Sequence, residues 1–304
     1  MPTDRSSKVR DRSEPRASVL TLVRGRQAHL DALVEGLTRQ TRQDFELVVA
    51  SMQPEPPHIS ERVPFPVTVV EVPGARLPLA AARNAAAANA RAERLIFLDV
   101  DCIPSPTLVE KFVEQLDASG RCLLGEVRYL PGTLTRAQIA SAAFSELVTH
   151  ARQHPARPNV PGEGWIDEPE PRALWGLSFA LTRRQYQTAG GMDESYLGYG
   201  GEETDFAEQL AAAGIRLGWC GNALALHQHH TVHTPPLDKF DDILGNALRF
   251  YRKWGSWCME YWLEYFVAHG LIKWAPTATD IQILRRPTHD EIQACRQPPE
   301  VAFA

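Results

Sequence analysis

Asp99 and Asp101 flank a single residue directly after the apolar run Leu95-Ile96-Phe97-Leu98. Two carboxylates so spaced on a turn can hold a hard divalent cation through oxygen and leave coordination sites for diphosphate oxygens and water. Such a cation would neutralise charge building on a departing diphosphate. An Asp-x-Asp is also an ordinary pair of solvated turn acids, so its meaning depends on the rest of the chain. Downstream, Gly198-Tyr199-Gly200-Gly201-Glu202-Glu203-Thr204-Asp205 sets acids at a helix start behind glycines that permit close backbone approach to a ligand. Acids in a first helical turn complement the helix dipole by roughly 0.3–1 kcal/mol each, which alone accounts for their presence. The sharper reading makes Glu203, with Glu202 beside it, the base that takes a proton from an attacking hydroxyl, because an alcohol is a poor nucleophile near neutral pH. Crowded carboxylates raise such a pKa and the helix dipole lowers it, so the sequence leaves the balance open.

His227, Gln228, His229 and His230 follow a third apolar run. If that strand continues, alternation puts His227 and His229 on one face, where an imidazole would complete the aspartate site. Each histidine also fits a polar exit loop facing water, and at least one ligand among them is expected. Arg24, Arg26 and Arg83 stand after or beside expected strands, where guanidinium groups fork onto phosphates, stack on a base, or simply face solvent.

These residues need a scaffold that brings them to one edge. The 304-residue chain is 44% hydrophobic, enough for one large α/β domain or a domain carrying a smaller lobe. Strands are expected at 18–23, 45–50, 67–72, 95–100, 123–129 and 174–182, and in a run ending at His227; helices at 27–40, 79–91, 135–150 and 203–213. This alternation builds a mainly parallel sheet covered by helices. Open α/β sheets bind ligands at the carboxyl edge of their strands, and Asp99, Val100 and Asp101 fall on that edge before Pro104 and Pro106 restart the chain as a helix. Residues 151–171, rich in Pro, Gly and charge, read as a mobile loop. The segments 1–16 and 275–304 read as loose tails around a 17–233 domain and a 234–274 pair of aromatic-rich helices.

A net charge of −5 gives no pull toward nucleic acid. Five scattered cysteines with no CxxC argue against a disulfide framework or structural zinc and suit a reducing cytoplasm. No run approaches the roughly 18 apolar residues of a membrane span. Phe250, Trp254, Trp257, Tyr261, Trp262, Tyr265 and Phe266 form an apolar stripe, read first as packing on the main domain, then as an oligomer contact, and last as peripheral membrane attachment, which Glu260 and Glu264 weaken.

Arg24-Gly25-Arg26-Gln27-Ala28-His29-Leu30, Arg83, Phe97-Leu98-Asp99-Val100-Asp101, Trp175-Gly176-Leu177-Ser178 and Gly200-Gly201-Glu202-Glu203 resemble, in that order, the β-1,4-galactosyltransferases and the broader family 2 glycosyltransferases. The likeness spans roughly 18–230. It implies a GT-A fold with a C-terminal helical extension and transfer of a hexose from a nucleotide diphosphate sugar, a UDP-sugar by family habit, to a hydroxyl on a glycan, lipid-linked or small-molecule acceptor. Inversion by a single displacement also rests on the likeness. It further implies donor contacts from Thr21, Arg24, Arg26, Arg83, Asp99, Val100 and Asp101, and substrate contacts from Trp175, Gly176, Tyr199 and Gly201. The implied Mn²⁺ or Mg²⁺ has Asp101 as ligand with Asp99 nearby, plus a histidine from His227 or His229. The chain departs from the pattern in carrying Glu203 where the family base is usually aspartate and Tyr199 where the animal enzymes have tryptophan. Ala50-Ser51-Met52 also lacks the aspartate that many family 2 enzymes use to read uracil.

Rival readings exist. An apolar strand before Asp-x-Asp also opens the aspartyl-phosphate phosphatases, with Asp99 as nucleophile. A sugar nucleotidyltransferase would want a Gly-rich loop where Val23-Arg24-Gly25-Arg26 offers one glycine. A nucleotide-sugar-binding protein without turnover is the third.

Overall fold

A computed structural model describes residues 14–160 and 162–301; most of the 1–16 segment lies outside the described residues. The first half alternates β1 (Ala17–Val23), α1 (Gln27–Thr38), β2 (Phe45–Ser51), β3 (Val67–Glu71), α2 (Leu79–Asn89) and β4 (Arg94–Leu98). Next come β5 (Cys102–Pro104), α3 (Leu108–Ser119), β6 (Cys122–Tyr129), α4 (Arg136–Ser141) and α5 (Phe144–His150). The short strands β7 (Arg152–Gln153) and β8 (Trp165–Glu168) precede β9 (Ser178–Thr182), α6 (Arg183–Thr188), α7 (Glu202–Ala212) and β10 (Leu217–His227). Then follow α8 (Phe240–Trp254), α9 (Glu260–Ala268), β11 (Ile272–Lys273), β12 (Gln282–Ile283) and α10 (His289–Ala294).

Among the described residues, ten strands form one mixed sheet with the main path β3-β2-β1-β4-β9-β6-β10-β5. β3, β2, β1 and β4 are parallel; the antiparallel β9 sits between β4 and β6, so β6 and its parallel neighbour β10 point the same way as the first four. The carboxyl ends of β1, β4, β6 and β10 therefore share one edge. This is the expected mostly parallel, helix-flanked architecture. Every residue of β1 is buried, Ser18 and Thr21 included, which is why its sequence shows no apolar-polar alternation.

Two cores cover the two faces. On one, α1 contributes Leu30, Leu33 and Leu37, and α3 contributes Leu108, Val109, Phe112, Val113 and Leu116 at helical steps. On the other, the alanines of α2 pack with Tyr186, Phe206, Ala207 and Leu210. A third core gathers Phe240, Ile243, Phe250, Trp257, Leu263, Phe266 and Trp274 around Tyr196, so the aromatic stripe is mainly internal packing. Asp205 of α7, with no exposed surface, ties this third core to the sheet domain. It accepts hydrogen bonds from the Trp254 indole at 2.7 Å, the Lys253 ammonium at 2.7 Å and the Tyr196 hydroxyl at 3.3 Å.

Three local expectations are corrected. The single helix at 135–150 is two, because Ala142 and Ala143 adopt extended backbone that lets Ile139, Phe144 and Leu147 all reach the small core of Ile103, Leu130 and Leu226. The 151–171 loop contains β7 and β8, whose backbone groups pair with β6 and β10. The segment after Ala275 is not loose: β12 pairs with β11, Cys295 is buried, and Thr234 donates its N–H to the Cys295 carbonyl at 2.8 Å. Backbone pairing with 232–234, burial of Cys295 and packing of the partly buried Ile292 hold it down. No helix among the described residues is long and apolar enough to cross a membrane.

Candidate active site

Asp99 leaves β4 with its N–H bonded to the Leu177 carbonyl at 2.8 Å, while its carboxylate accepts the Val100 N–H at 2.9 Å. That turn carries Asp101 inward, where it is 1% exposed and paired with Arg26. The Val100 side chain packs into the core, so only its backbone faces the edge. At the end of β10, ligand atoms of Asp101, His227 and His230 lie within 4.8 Å of one another. His29 of α1 closes the same group, with its Nε2 3.8 Å from Asp101 Oδ1.

This donor set suits a divalent cation. Asp101 Oδ1 is buried without a hydrogen-bond partner. Burial, with the neighbouring histidine and arginine charges, holds His227 well below its ordinary value and lowers His230 to about 4, so both imidazoles are neutral and able to ligate near neutral pH. Burial and the Asp99 charge push Asp101 up to about 7 against the pull of Arg26. A carboxylate in this position gains from a cation.

His229 is not in the group. β10 ends at His227, Gln228 turns into the interior to donate to the His29 carbonyl at 3.2 Å, and the His229 ring lies against Gly132. Strand alternation stops where the strand stops, and His230 takes the place expected of His229. His29, inside the Arg24–Leu30 motif, is an addition to the sequence reading, and its position in the first turn of a helix behind a strand end is the signal that points to it.

The second half of the site is built on α7. Gly201 caps that helix with φ +91, a conformation that side chains other than glycine rarely adopt, and Glu202 and Glu203 fill the first turn. Arg83 of α2, 3% exposed, donates to Glu202 at 3.1 Å and to Glu203 at 2.9 Å. Burial alone would lower this guanidinium; the Glu203, Glu202 and Asp99 carboxylates outweigh it and hold it raised. Arg83 is thus committed to the acids rather than left open as a phosphate contact. Glu203 keeps 29% of its side chain exposed. Its pKa is pushed up to about 7, by burial first and then by Glu202, with Asp99 adding and Arg83 opposing.

Gly176 joins the two halves. A Cβ there would collide with the Glu203 carboxylate and the Arg83 guanidinium, and the next residue, Leu177, holds Asp99. Asp99 acts electrostatically on both Glu203 and Asp101, so the acids at 99, 101 and 203 belong to one charged group, with the imidazoles of His227 and His230 beside Asp101. Trp175 precedes Gly176, with the Arg157 guanidinium 3.2 Å from its ring centroid and His154 edge-on at 5.0 Å. Tyr199 is 42% exposed at the rim. Asn246 of α8 fixes the turn below it by donating to the Tyr199 and Gly200 carbonyls at 3.2 and 2.8 Å. Arg24 is exposed at the end of β1, donating to the Ala75 carbonyl at 3.3 Å. Thr21, expected among the donor contacts, is enclosed in β1 two residues short of the strand end, 1% exposed.

Residues 18–164 match the family model of glycosyl transferase family 2, and residues 169–234 match a model described as the N-terminal domain of galactosyltransferase. No curated protein matches the chain in sequence. Among solved structures, the chain is similar to Staphylococcus aureus TarS 1-349, with a TM-score of 0.53 and 13% identity over 78% of this chain and 65% of that one. It is also similar to GalNAc-T7 with UDP, GalNAc and Mn²⁺, with a TM-score of 0.51 and 15% identity over 70% of this chain and 43% of that one. A third is the mannosyltransferase PcManGT from Pyrobaculum calidifontis with GDP-Man and Mn²⁺, with a TM-score of 0.50 and 13% identity over 79% of this chain and 64% of that one. The chain thus spans less than two thirds of each of these structures, and the likeness is one of fold. The matched models leave the phosphatase and nucleotidyltransferase readings without support. The chain thus carries a segment similar to glycosyl transferase family 2 followed by a segment similar to galactosyltransferases, on a fold that it shares with glycosyltransferases of the GT-A type.

Proposed function

We propose that the chain moves a sugar from a nucleotide diphosphate donor, of the UDP-sugar class, onto a hydroxyl acceptor, inverting the anomeric centre in one displacement. The observation that carries this reading is the meeting of Glu203 with the Asp99–Asp101 turn across Gly176 and Leu177. Asp101, His227 and His230 would hold a divalent cation, Mn²⁺ or Mg²⁺, with Asp99 adjacent. A bound cation supplies positive charge beside the leaving diphosphate. Arg24 and Arg26 stand at the same edge and suit the donor phosphates. Glu203, ionised in a good fraction of molecules near neutral pH, accepts the acceptor hydroxyl proton as that oxygen bonds to the anomeric carbon and the bond to the diphosphate breaks. The structures of GalNAc-T7 with UDP and Mn²⁺ and of PcManGT with GDP-Man and Mn²⁺ support a nucleotide diphosphate donor and a divalent ion, and the first of them supports UDP.

The experiment is a donor screen for Mn²⁺-dependent release of nucleoside diphosphate, with and without a mixed pool of hydroxyl acceptors. Turnover of at least one UDP-sugar that stops on chelation is expected. Binding without release across the panel would make the chain a donor-binding protein, and neither binding nor release would overturn the proposal.

A further inference from the structure

A cavity of about 410 Å³ opens between α1, β5 and the α4–α5 pair, and none of the acids or imidazoles of the candidate active site lines it. Its size falls in the range of small-molecule sites, roughly 300–1,000 Å³. The gap has a physical origin. A Cβ on Gly36 would stand 2.8 Å from Pro104 Cδ, so α1 rests directly on β5, and Gln40 donates to the Ser105 carbonyl at 2.6 Å to keep it there. The extended backbone of Ala142 and Ala143 instead commits α4 and α5 to the small core of Ile103, Leu130 and Leu226, and the space between them and α1 stays open. That space is apolar at its floor and charged at its mouth. Ile103, Pro104 and Leu147 are buried and Ile139 and Phe144 half-buried, whereas Asp31, Glu35, Arg39 and Arg136 are exposed. Arg39 is held by Glu35 at 2.9 Å, and Asp31 accepts from the Gln27 side-chain amide at 2.7 Å. Arg136 forms no hydrogen bond or ion pair among the described residues, which leaves one uncommitted cation at the opening.

We propose that this cavity binds a monocarboxylate with an unbranched apolar chain, its carboxylate on Arg136 at the mouth and its chain over Ile103, Ile139, Phe144 and Leu147. The site is separate from the proposed transfer reaction and does not depend on it. A carboxylate matches the fork of a guanidinium, and an apolar floor gains from an alkyl chain that displaces water from it. The lining selects a single negative charge. A phosphate monoester carries about −1.5 to −2 at neutral pH, and the Asp31 and Glu35 carboxylates oppose the second charge where only one guanidinium is free to answer it. An uncharged chain leaves Arg136 unanswered, and a short acid leaves the floor unfilled.

The test is isothermal titration calorimetry of the full chain with octanoate below its micelle-forming concentration, compared with acetate, octanol and octyl phosphate. Octanoate should bind at a single site and more tightly than each of the three. Arg136→Ala should weaken it about fivefold, the upper end of what an exposed ion pair contributes, and Arg136→Lys should restore most of the loss. Ala140→Trp, which fills the cavity from an exposed position on its wall without changing its charge, should abolish binding. No octanoate binding by the wild-type chain, octanol or octyl phosphate binding as tightly as octanoate, or octanoate binding unchanged in either Arg136→Ala or Ala140→Trp would overturn the proposal. The measurement needs no turnover, so its result is independent of the donor screen.

Discussion

In the proposed reaction Glu203 is the base, and its charge would decide whether an alcohol can attack. With its pKa raised to about 7 by burial and by Glu202, it is protonated below that point and ionised above it. The rate with saturating Mn²⁺ should therefore fall about tenfold per pH unit below roughly pH 7. Glu203→Gln should lower kcat by about 10²–10⁴-fold and erase that limb, leaving donor affinity in place. The histidines make a second residue-scale prediction. His230→Ala should weaken Mn²⁺ binding, measured by titration calorimetry, by at least on the order of tenfold, whereas His229→Ala should not. That difference was invisible in the sequence, since four polar residues after a strand look alike until the strand end is known. The two aspartates were legible because an apolar strand delivers them to a known edge. Arg83 was legible as an edge residue but not as the partner of Glu202 and Glu203, because residues so far apart in sequence meet only through packing of α2 on α7.

At the scale of elements, the site depends on α7 being held at both ends of its polar turn. Asp205 accepts three hydrogen bonds in a fully buried setting, and Asp205→Ala would leave an indole, a phenol and an ammonium without it. A loss of about 3 kcal/mol is expected in urea unfolding. Gly176→Ala should act differently: its methyl would displace Glu203 and Arg83 while the strand β9 beyond it is undisturbed. Transfer should drop sharply with little change in unfolding midpoint. The alternation of strands and helices was readable from periodicity, and so were the central strands, which are mostly apolar. The break between α4 and α5 and the pairing of β8 with β10 were not, because neither Ala142-Ala143 nor the charged, proline-rich 151–171 carries a periodic signal.

Over the whole molecule, the sheet edge gathers residues from β1, β4, β10 and α7, and α8 holds the glycine turn from outside through Asn246 and Asp242. Removal of the segment after Trp274 should lower the unfolding midpoint, because Cys295 and Ile292 complete the third core. The central claim is that one cleft separates donor binding from proton removal, and it is tested by measuring UDP-sugar binding and turnover on the same preparations of wild type, Asp101→Asn and Glu203→Gln with Mn²⁺. The account predicts that Asp101→Asn loses metal-dependent binding and turnover together, while Glu203→Gln binds donor as the wild type does and fails to transfer. Wild-type turnover by Glu203→Gln, or donor binding indifferent to Asp101, would contradict it.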